Sequence, residues 1–334
     1  MSIKVFIFID NIRPDENWLG LVQIFQNCSI ESHIAIVGSV DKKYQQYLPP
    51  NISICKKAKV KDIRKGDIIF GMPSKYLLLK IINIVFTKNI FINIGPGKIK
   101  KAIGIYKHPE KKIKNKIFEF VKYLMPHNYY LAADFEDAMY LATAYGRDIN
   151  FYLPIGLPKS VHIALEFSQR REKIKIGVLF APTHRWEGEV SVISKWLAND
   201  VFVNKLSNDY DIFYNNHPDE DNWETCESVI KTRELSSAFW KDIDVLVTDY
   251  SSIAHDFLSA GGKHIINIIT DLSQFEKHQG KSPLPLNKQF PGVLCTTKDE
   301  FIHTLNNIKP SKKEIDIKDF SDLWIRRILS LRKK

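Results

Sequence analysis

The segment 248–252, Thr-Asp-Tyr-Ser-Ser, lies between a short apolar run and an amphipathic stretch. This order predicts a strand, a tight turn and a helix, with the hydroxyls of Ser251 and Ser252 at the start of the helix. The first backbone N–H groups of a helix lack intrahelical partners and its dipole is positive there, so a phosphate would fit. A serine cap with nothing bound has the same pattern, so neighbouring loops must distinguish the two.

Two other predicted strand ends carry groups suited to phosphate. His217, followed by Pro218, is suited to donate an N–H to a phosphoryl oxygen or a proton to a leaving phosphate. Arg185, in the segment Ala-Pro-Thr-His-Arg, has the forked cationic group that matches phosphate oxygens. Taken singly, the first is also an ordinary capped turn and the second a surface cation. Because the loops after parallel strands converge, their coincidence favours a phosphate site.

Short apolar runs alternate with longer amphipathic stretches, which predicts parallel βαβ units. We therefore expect an α/β fold of two Rossmann-like halves facing each other across a cleft. The predicted strands are Lys4–Ile9, His33–Val37, Asp67–Phe70, Asn89–Ile94, Tyr129–Ala132, Ile174–Ala181, Asp211–Asn215, Val245–Thr248 and His264–Ile268. The predicted helices include Trp18–Gln26, Asp134–Tyr145, Glu189–Leu197, Ser236–Lys241 and Ser252–Ala260.

The segment 151–158 contains two prolines and a glycine and is interpreted as the crossing between the halves. The predicted domains are residues 1–155 and 156–316. Residues 317–334 form a third segment, a predicted helix with one apolar face, which we expect to pack back on the first domain.

The formal charge of +10 and the pI near 9.2 indicate attraction to polyanions. The segment 98–122 is rich in lysine with interspersed Ile and Phe, which is typical of contact with an anionic membrane or a phosphate polymer. A solvated helical face is the alternative interpretation. No nucleic-acid motif accompanies the charge, so no nucleic-acid partner is expected.

Four scattered cysteines without a Cys-x-x-Cys pair indicate reduced thiols in a cytoplasmic protein. No metal or other cofactor is predicted, because no cluster of potential ligands is evident. The apolar stretch 76–94 is interrupted by lysines, so no transmembrane helix is expected. The predicted location is cytoplasmic, with peripheral contact at the inner face of the cell membrane through Lys98–Lys122.

The order of these motifs resembles the CDP-glycerol glycerophosphotransferase family, the teichoic acid primases and polymerases with a GT-B fold. The likeness covers about 151–304, and Thr-Asp-Tyr-Ser-Ser is its most specific element. It implies that Arg185, His217, Ser251 and Ser252 surround the pyrophosphate of a CDP-alditol donor. The remaining residues assigned to substrate binding are Thr183, Thr248 and Asp249.

The resemblance implies transfer of glycerol phosphate or ribitol phosphate to a hydroxyl of a cell-surface glycan or lipid-linked acceptor, with release of CMP. The first domain would bind the acceptor and the second the donor. The family's histidine in an N-terminal Trp-His-Gly turn is missing, because the corresponding segment 93–104 keeps the glycines and lysines but contains no histidine. His108 is the nearest replacement as general base, and Asp10 is a second candidate.

Two alternatives stay open. A GT-B glycosyltransferase using a CMP-, CDP- or other nucleotide-sugar, similar to sialyltransferases, would also carry a His-Pro turn followed by Ser-Ser. The Asp-Tyr before Ser251 and the Ala-Pro-Thr-x-Arg loop favour the glycerophosphotransferases. A non-catalytic nucleotide-binding subunit of a surface-polymer assembly is the other alternative, because the N-terminal histidine is absent.

Overall fold

The computed structural model forms two compact units. The first contains Met1–Ile99, Ile103–His162 and Asp316–Lys334, and the second contains Lys100–Ala102 and Ile163–Ile315. The residues that the structure describes are 2–9, 17–40, 48–57, 59–63, 67–71, 89–94, 128–169, 173–183, 185, 189–215, 225–232, 237–309 and 316–331.

The first unit is built on a parallel sheet with the strand order β3-β2-β1-β4-β5-β6-β7. Its middle strands are almost wholly buried, as expected for a parallel sheet with both faces covered. The strands are β1 (Ile3–Phe8), β2 (Ser32–Val37), β3 (Ser53–Cys55), β4 (Ile68–Phe70), β5 (Ile90–Asn93), β6 (Asn128–Ala132) and β7 (Tyr152–Pro154).

The segment predicted as a crossing is part of this sheet, because β7 pairs with β6 in parallel. The proline-rich stretch therefore ends an edge strand, where proline is tolerated, and then opens a helix. The chain passes to the second unit inside that helix, after His162, whereas the sequence prediction put the boundary at residue 155. The helices described in the first unit are α1 (Asn17–Asn27), α2 (Val60–Ile63), α3 (Phe135–Tyr145) and the start of α4 (Pro158–Ser168).

The C-terminal helix, Ile317–Ser330, belongs to the first unit and lies against α1. Trp324 from this helix stacks on Phe70 with ring centroids 5.9 Å apart and meets Phe25 edge-on at 6.4 Å. Its indole Nε1 donates to the carbonyl of Gly156 at 3.2 Å. We call Phe25, Phe70 and Trp324 the aromatic anchor, since they fix the helix to the sheet layer.

The second unit contains a parallel sheet with the order β10-β9-β8-β11-β12-β13. Its strands are β8 (Ile176–Ala181), β9 (Tyr210–Tyr214), β10 (Ile230–Lys231), β11 (Val245–Thr248), β12 (His264–Ile268) and β13 (Val293–Cys295). Its helices are α5 (Val192–Leu197), α6 (Asp200–Ser207), α7 (Ile253–Ser259), α8 (Leu272–Gln279), α9 (Leu286–Gln289) and α10 (Lys298–Asn306), so the C-terminal helix is α11.

The α/β prediction with two Rossmann-like sheets is confirmed. The predicted strands are found to within two residues at each end among the described elements. The predicted helix 236–241 is instead a 3₁₀-helix, Ser237–Asp242. No helix in the described ranges is long and apolar enough to cross a membrane.

The strand order places a topological switch point in the second sheet between β8 and β11. From β8 the chain first adds β9 and β10 on one side, then returns to add β11, β12 and β13 on the other. Ligands of such sheets bind outside the carboxyl ends of the strands that flank the reversal. The loops after β8 and β11 are therefore the first place to look for a site.

Candidate functional site

The carboxyl ends of β8 and β11 are joined at the switch point by strand pairing and a side-chain hydrogen bond. Thr248 ends β11 directly beside Ala181, which ends β8. The fully buried hydroxyl of Thr248 donates to the carbonyl of Ala181 at 2.6 Å. This bond fixes the starting points of the two loops that carry most of the predicted site.

Arg185 lies under these loops, with only 1% of its side chain exposed. Its Nη2 donates to Oδ2 of Asp249 at 2.9 Å and to Oδ2 of Asp271 at 3.1 Å. Its Nη1 donates to the carbonyl of Thr183 at 3.1 Å. Because Asp271 follows β12, one guanidinium joins the loops after three strands: β8, β11 and β12.

Asp249 is the centre of this network. Its Oδ1 accepts from the backbone N–H of Thr183 at 2.7 Å and of Tyr250 at 2.6 Å. Burial raises the pKa of the Asp249 carboxyl, while Arg185 and these N–H donors oppose the shift. Burial disfavours a charged guanidinium, but Asp249 and then Asp271 outweigh it and raise the pKa of Arg185. Arg185 therefore stays charged and paired.

Tyr250 is held at its ring and at its hydroxyl. The ring stacks on Phe275 of α8 with centroids 3.8 Å apart and meets Phe290 edge-on at 5.5 Å. The hydroxyl donates to Oδ1 of Asp271 at 2.7 Å. Burial, followed by this bond to a carboxylate, raises the pKa of Tyr250, so the hydroxyl remains a donor at neutral pH.

Ser251 and Ser252 come directly after this fixed tyrosine and are half-buried. The Ser251 hydroxyl accepts from the N–H of Ile253 at 3.3 Å, which leaves its own proton able to donate. Ser252 stands at the cap position of α7 without a side-chain capping bond. The hydroxyl of Ser252 therefore does not cap its own helix.

The structure thus brings together Thr183, Arg185, Thr248 and Asp249, with Ser251 and Ser252 adjoining them in the chain. These contacts are made among the protein's own groups. The predicted catalytic residues His217 and His108 lie outside the described residues, as do Asp10 and the segment Lys98–Lys122.

Sequence reasoning assigned no role to Asp271 and Tyr250, which complete the network. A signal was available for Asp271, because it follows β12 at the same edge of the sheet where Asp249 follows β11. Within the described ranges, no group of three or more His, Cys, Asp and Glu side chains has the arrangement of a metal site.

Solved structures with a similar fold cover nearly the whole chain. A variant of the wall teichoic acid polymerase TagF soaked with CDPG superposes with a TM-score of 0.65 at 14% identity, covering 99% of this chain and 84% of that one. TagF itself gives a TM-score of 0.63 at 14% identity with the same coverage. The UDP-GlcNAc 2-epimerase of Methanocaldococcus jannaschii, in complex with UDP-GlcNAc and UDP, gives 0.52 at 12% identity, covering 99% of this chain and 100% of that one. These likenesses show a shared two-domain GT-B-like fold.

No curated protein sequence matches the chain. The profile of the family described as CDP-Glycerol:Poly(glycerophosphate) glycerophosphotransferase matches residues 31–326, which is most of the chain and includes every strand of the second sheet. The family predicted from the motifs at 181–185, 217–218 and 247–252 is confirmed, and the chain belongs to the CDP-glycerol:poly(glycerophosphate) glycerophosphotransferase family.

Proposed function

We propose that this glycerophosphotransferase moves an alditol phosphate, with glycerol phosphate first in rank, from a CDP-activated donor to a hydroxyl of a teichoic-acid-like surface polymer. The observation that carries the proposal is the position of Ser251 and Ser252. They follow β11 at the switch point of the second sheet, within the residues that the family profile matches. The similar fold of a TagF variant soaked with CDPG supports the choice of donor.

In the proposed reaction the acceptor oxygen attacks the β-phosphorus of CDP-glycerol. A new P–O bond forms, the P–O bond to CMP breaks, and the acceptor's proton passes to a base. Negative charge spreads over the phosphoryl oxygens in the transition state, so positioned hydrogen-bond donors supply much of the catalysis. The products are CMP and a phosphodiester.

We assign the direct contacts with the donor diphosphate to the hydroxyls of Ser251 and Ser252. Arg185, which the sequence analysis placed against phosphate, is paired with two carboxylates and is nearly inaccessible. We therefore give Arg185 and Asp249 the task of holding the loop. The Thr248 hydroxyl holds the ends of β8 and β11 together below this loop.

The remaining roles rest on the sequence alone. His217 is proposed to donate to the phosphoryl oxygens or to protonate the leaving CMP, and His108 is proposed as the base for the acceptor hydroxyl. The acceptor is proposed to be a glycan or a lipid-linked glycan. The basic segment Lys98–Lys122 is proposed to contact anionic lipid at the inner face of the membrane.

The test is an incubation of the purified full chain with a panel of lipid-linked and glycan acceptors and one donor at a time: CDP-glycerol, CDP-ribitol or CMP-sialic acid. We expect CMP to form with CDP-glycerol and the acceptor mass to rise by one or more glycerol phosphate units. Transfer from CMP-sialic acid alone would support the sialyltransferase alternative. Binding of CDP without turnover for any acceptor would support the non-catalytic alternative.

A further inference from the structure

We propose that Tyr250 and Asp271 are positioning residues, which orient Ser251 and Ser252 toward the donor's diphosphate. The inference rests on the proposed function, because it assigns a task within the same donor site. Neither residue is proposed to touch the reacting atoms. Both would act through the loop that follows β11.

The contacts of Tyr250 restrict the residue on three sides. Its N–H is bound by Asp249 at 2.6 Å, its ring is stacked on Phe275, and its hydroxyl is bound by Asp271 at 2.7 Å. Ser251 is the next residue in the chain. Displacement of the Tyr250 backbone would therefore move the Ser251 hydroxyl with it.

Asp271 directs its carboxylate away from its own helix. It occupies the cap position of α8, where an aspartate commonly accepts a backbone N–H of the first turn, yet it makes no side-chain capping bond. Its two oxygens are instead used by Tyr250 and Arg185. The carboxylate therefore links the loop after β12 to the loops after β11 and β8.

The accessibility of the two carboxylates separates their tasks. The side chain of Asp249 is 2% exposed, whereas that of Asp271 is 19% exposed. Asp249 lies inside the network, and Asp271 closes it at the solvent-accessible edge. Hydrogen bonds to Asp249 and Asp271 hold the network in one arrangement, and a displacement of about 1 Å in a positioned group can cost about 100-fold in rate. The Tyr250–Asp271 bond is thus suited to set the geometry of the neighbouring serines.

The test compares Tyr250→Phe with a matched control, Tyr210→Phe. The first removes the hydroxyl and keeps the stacked ring. The control removes the hydroxyl of another tyrosine of the second unit, Tyr210, which bonds Asn306 at 3.2 Å. Tyr210 is the first residue of β9, at the amino end of the strand, whereas the site lies at the carboxyl ends of the strands. Calorimetric titration with CDP, well below the melting temperature of each variant, reports the donor site directly. We expect the Kd for CDP to rise about tenfold in Tyr250→Phe and to stay within about twofold of wild type in Tyr210→Phe.

Cytidine binding distinguishes an effect on the diphosphate contacts from a general structural effect on the donor site. Because cytidine has no phosphate, competition against CDP should show equal cytidine affinity in wild type and Tyr250→Phe. If Tyr250→Phe does not fold, Asp271→Ala, which also removes the acceptor of the Tyr250 hydroxyl, makes the same test, with the same tenfold loss expected for CDP. A wild type that binds CDP together with variants that bind it equally well would overturn the inference alone. A wild type that binds neither CDP nor CDP-glycerol would overturn the proposed function, and the inference with it.

Discussion

The aromatic anchor of the first unit and the polar network of the second hold their surroundings in place by different kinds of contact. The polar network consists of Arg185, Asp249, Tyr250 and Asp271. The anchor, formed by Phe25, Phe70 and Trp324, fixes a helix through ring contacts and one indole hydrogen bond. The network fixes three loops through an arginine shared by Asp249 and Asp271. Both are buried, but only the network is directional at every contact.

The physical costs of the two arrangements explain where each is used. Apolar burial contributes about 25 cal/mol per Å² and depends little on the exact angle between groups. A buried ion pair loses its hydration, and its attraction often does no more than offset that loss. The network therefore contributes little to the free energy of folding, but it fixes the positions of the loops that it joins. This contrast predicts that damage to the anchor lowers stability alone, while damage to the network also removes donor binding.

The largest combined effect is expected from Asp249→Ala. The change removes the more buried of the two carboxylates that pair with Arg185, leaving only Asp271, and strips partners from the N–H groups of Thr183 and Tyr250. We expect a loss of about 3–5 kcal/mol in the free energy of unfolding, together with loss of detectable CDP binding. Urea denaturation and calorimetric titration measure the two effects. In the control Asp242→Ala, which removes a more exposed partner of Lys173, the stability loss should be below about 1 kcal/mol.

Trp324→Ala tests the other side of the contrast. Loss of the indole should lower the free energy of unfolding by about 3–5 kcal/mol, as for other large aromatic deletions. CDP affinity in the folded protein should not change, because the proposed donor contacts are all in the second unit. The adjacent Leu323 is 61% exposed, so Leu323→Ala should alter stability by less than about 0.5 kcal/mol. A fall in CDP affinity for folded Trp324→Ala would break the proposed separation of roles.

Gly20→Ala is expected to cost less and again to affect stability only. A Cβ at this position of α1 would collide with the backbone carbonyl of Pro158, so the helix must move away. We expect a loss of about 1–3 kcal/mol, typical of overpacking, measured by urea denaturation. Gln26→Ala on an exposed part of the same helix is the control and should have little effect.

The smallest effect concerns the exposed contact between Ser29 and Asp322. Hydrogen bonds from the Ser29 hydroxyl and N–H, both 2.6 Å, lower the pKa of Asp322. A lowered pKa in the folded state stabilises the fold above the unfolded value, near pH 4, and this contribution is lost as the pH falls through the folded value. Thermal melts should show a slightly lower melting temperature for Ser29→Ala at pH 7, and the difference should vanish in acid.

Ser330→Ala is the matched control for that pH dependence. The Ser330 hydroxyl donates to the carbonyl of Arg327 in the same terminal helix, and a carbonyl does not titrate in this range. Any change in melting temperature should therefore be the same at both pH values. A difference for Ser29→Ala that persists in acid would contradict the role given to Asp322.

The sequence was most informative where burial imposes a continuous apolar run. β11 and β12 were predicted at the bounds at which they occur, since nearly every residue in them is buried. The edge strands β3 and β13 were not predicted, because they are short and partly exposed. Helix α4 was missed because its proline was interpreted as a break, although proline also favours the first position of a helix.

The site was predictable as a set of loops and not as a set of contacts. Parallel strand ends converge, so Arg185, Asp249 and Ser251 could be placed together. The guanidinium fork fits carboxylate as well as phosphate, so its partner could not be read from its type. That partner includes Asp271, 86 positions along the chain, and only the pairing of β12 beside β11 brings it there.

The most direct test of the account is CDP-glycerol turnover by the full chain and by Ser251→Ala. Ser259→Ala, at the exposed end of α7, the helix that follows Ser251, is the matched control. Release of CMP should be measured with an acceptor on which the wild type is active. We expect at least a tenfold fall in kcat/KM for Ser251→Ala, unchanged turnover for Ser259→Ala, and equal melting temperatures for both variants and the wild type. Wild-type turnover in Ser251→Ala, or no CMP release by the wild type with any acceptor of the panel, would contradict this expectation.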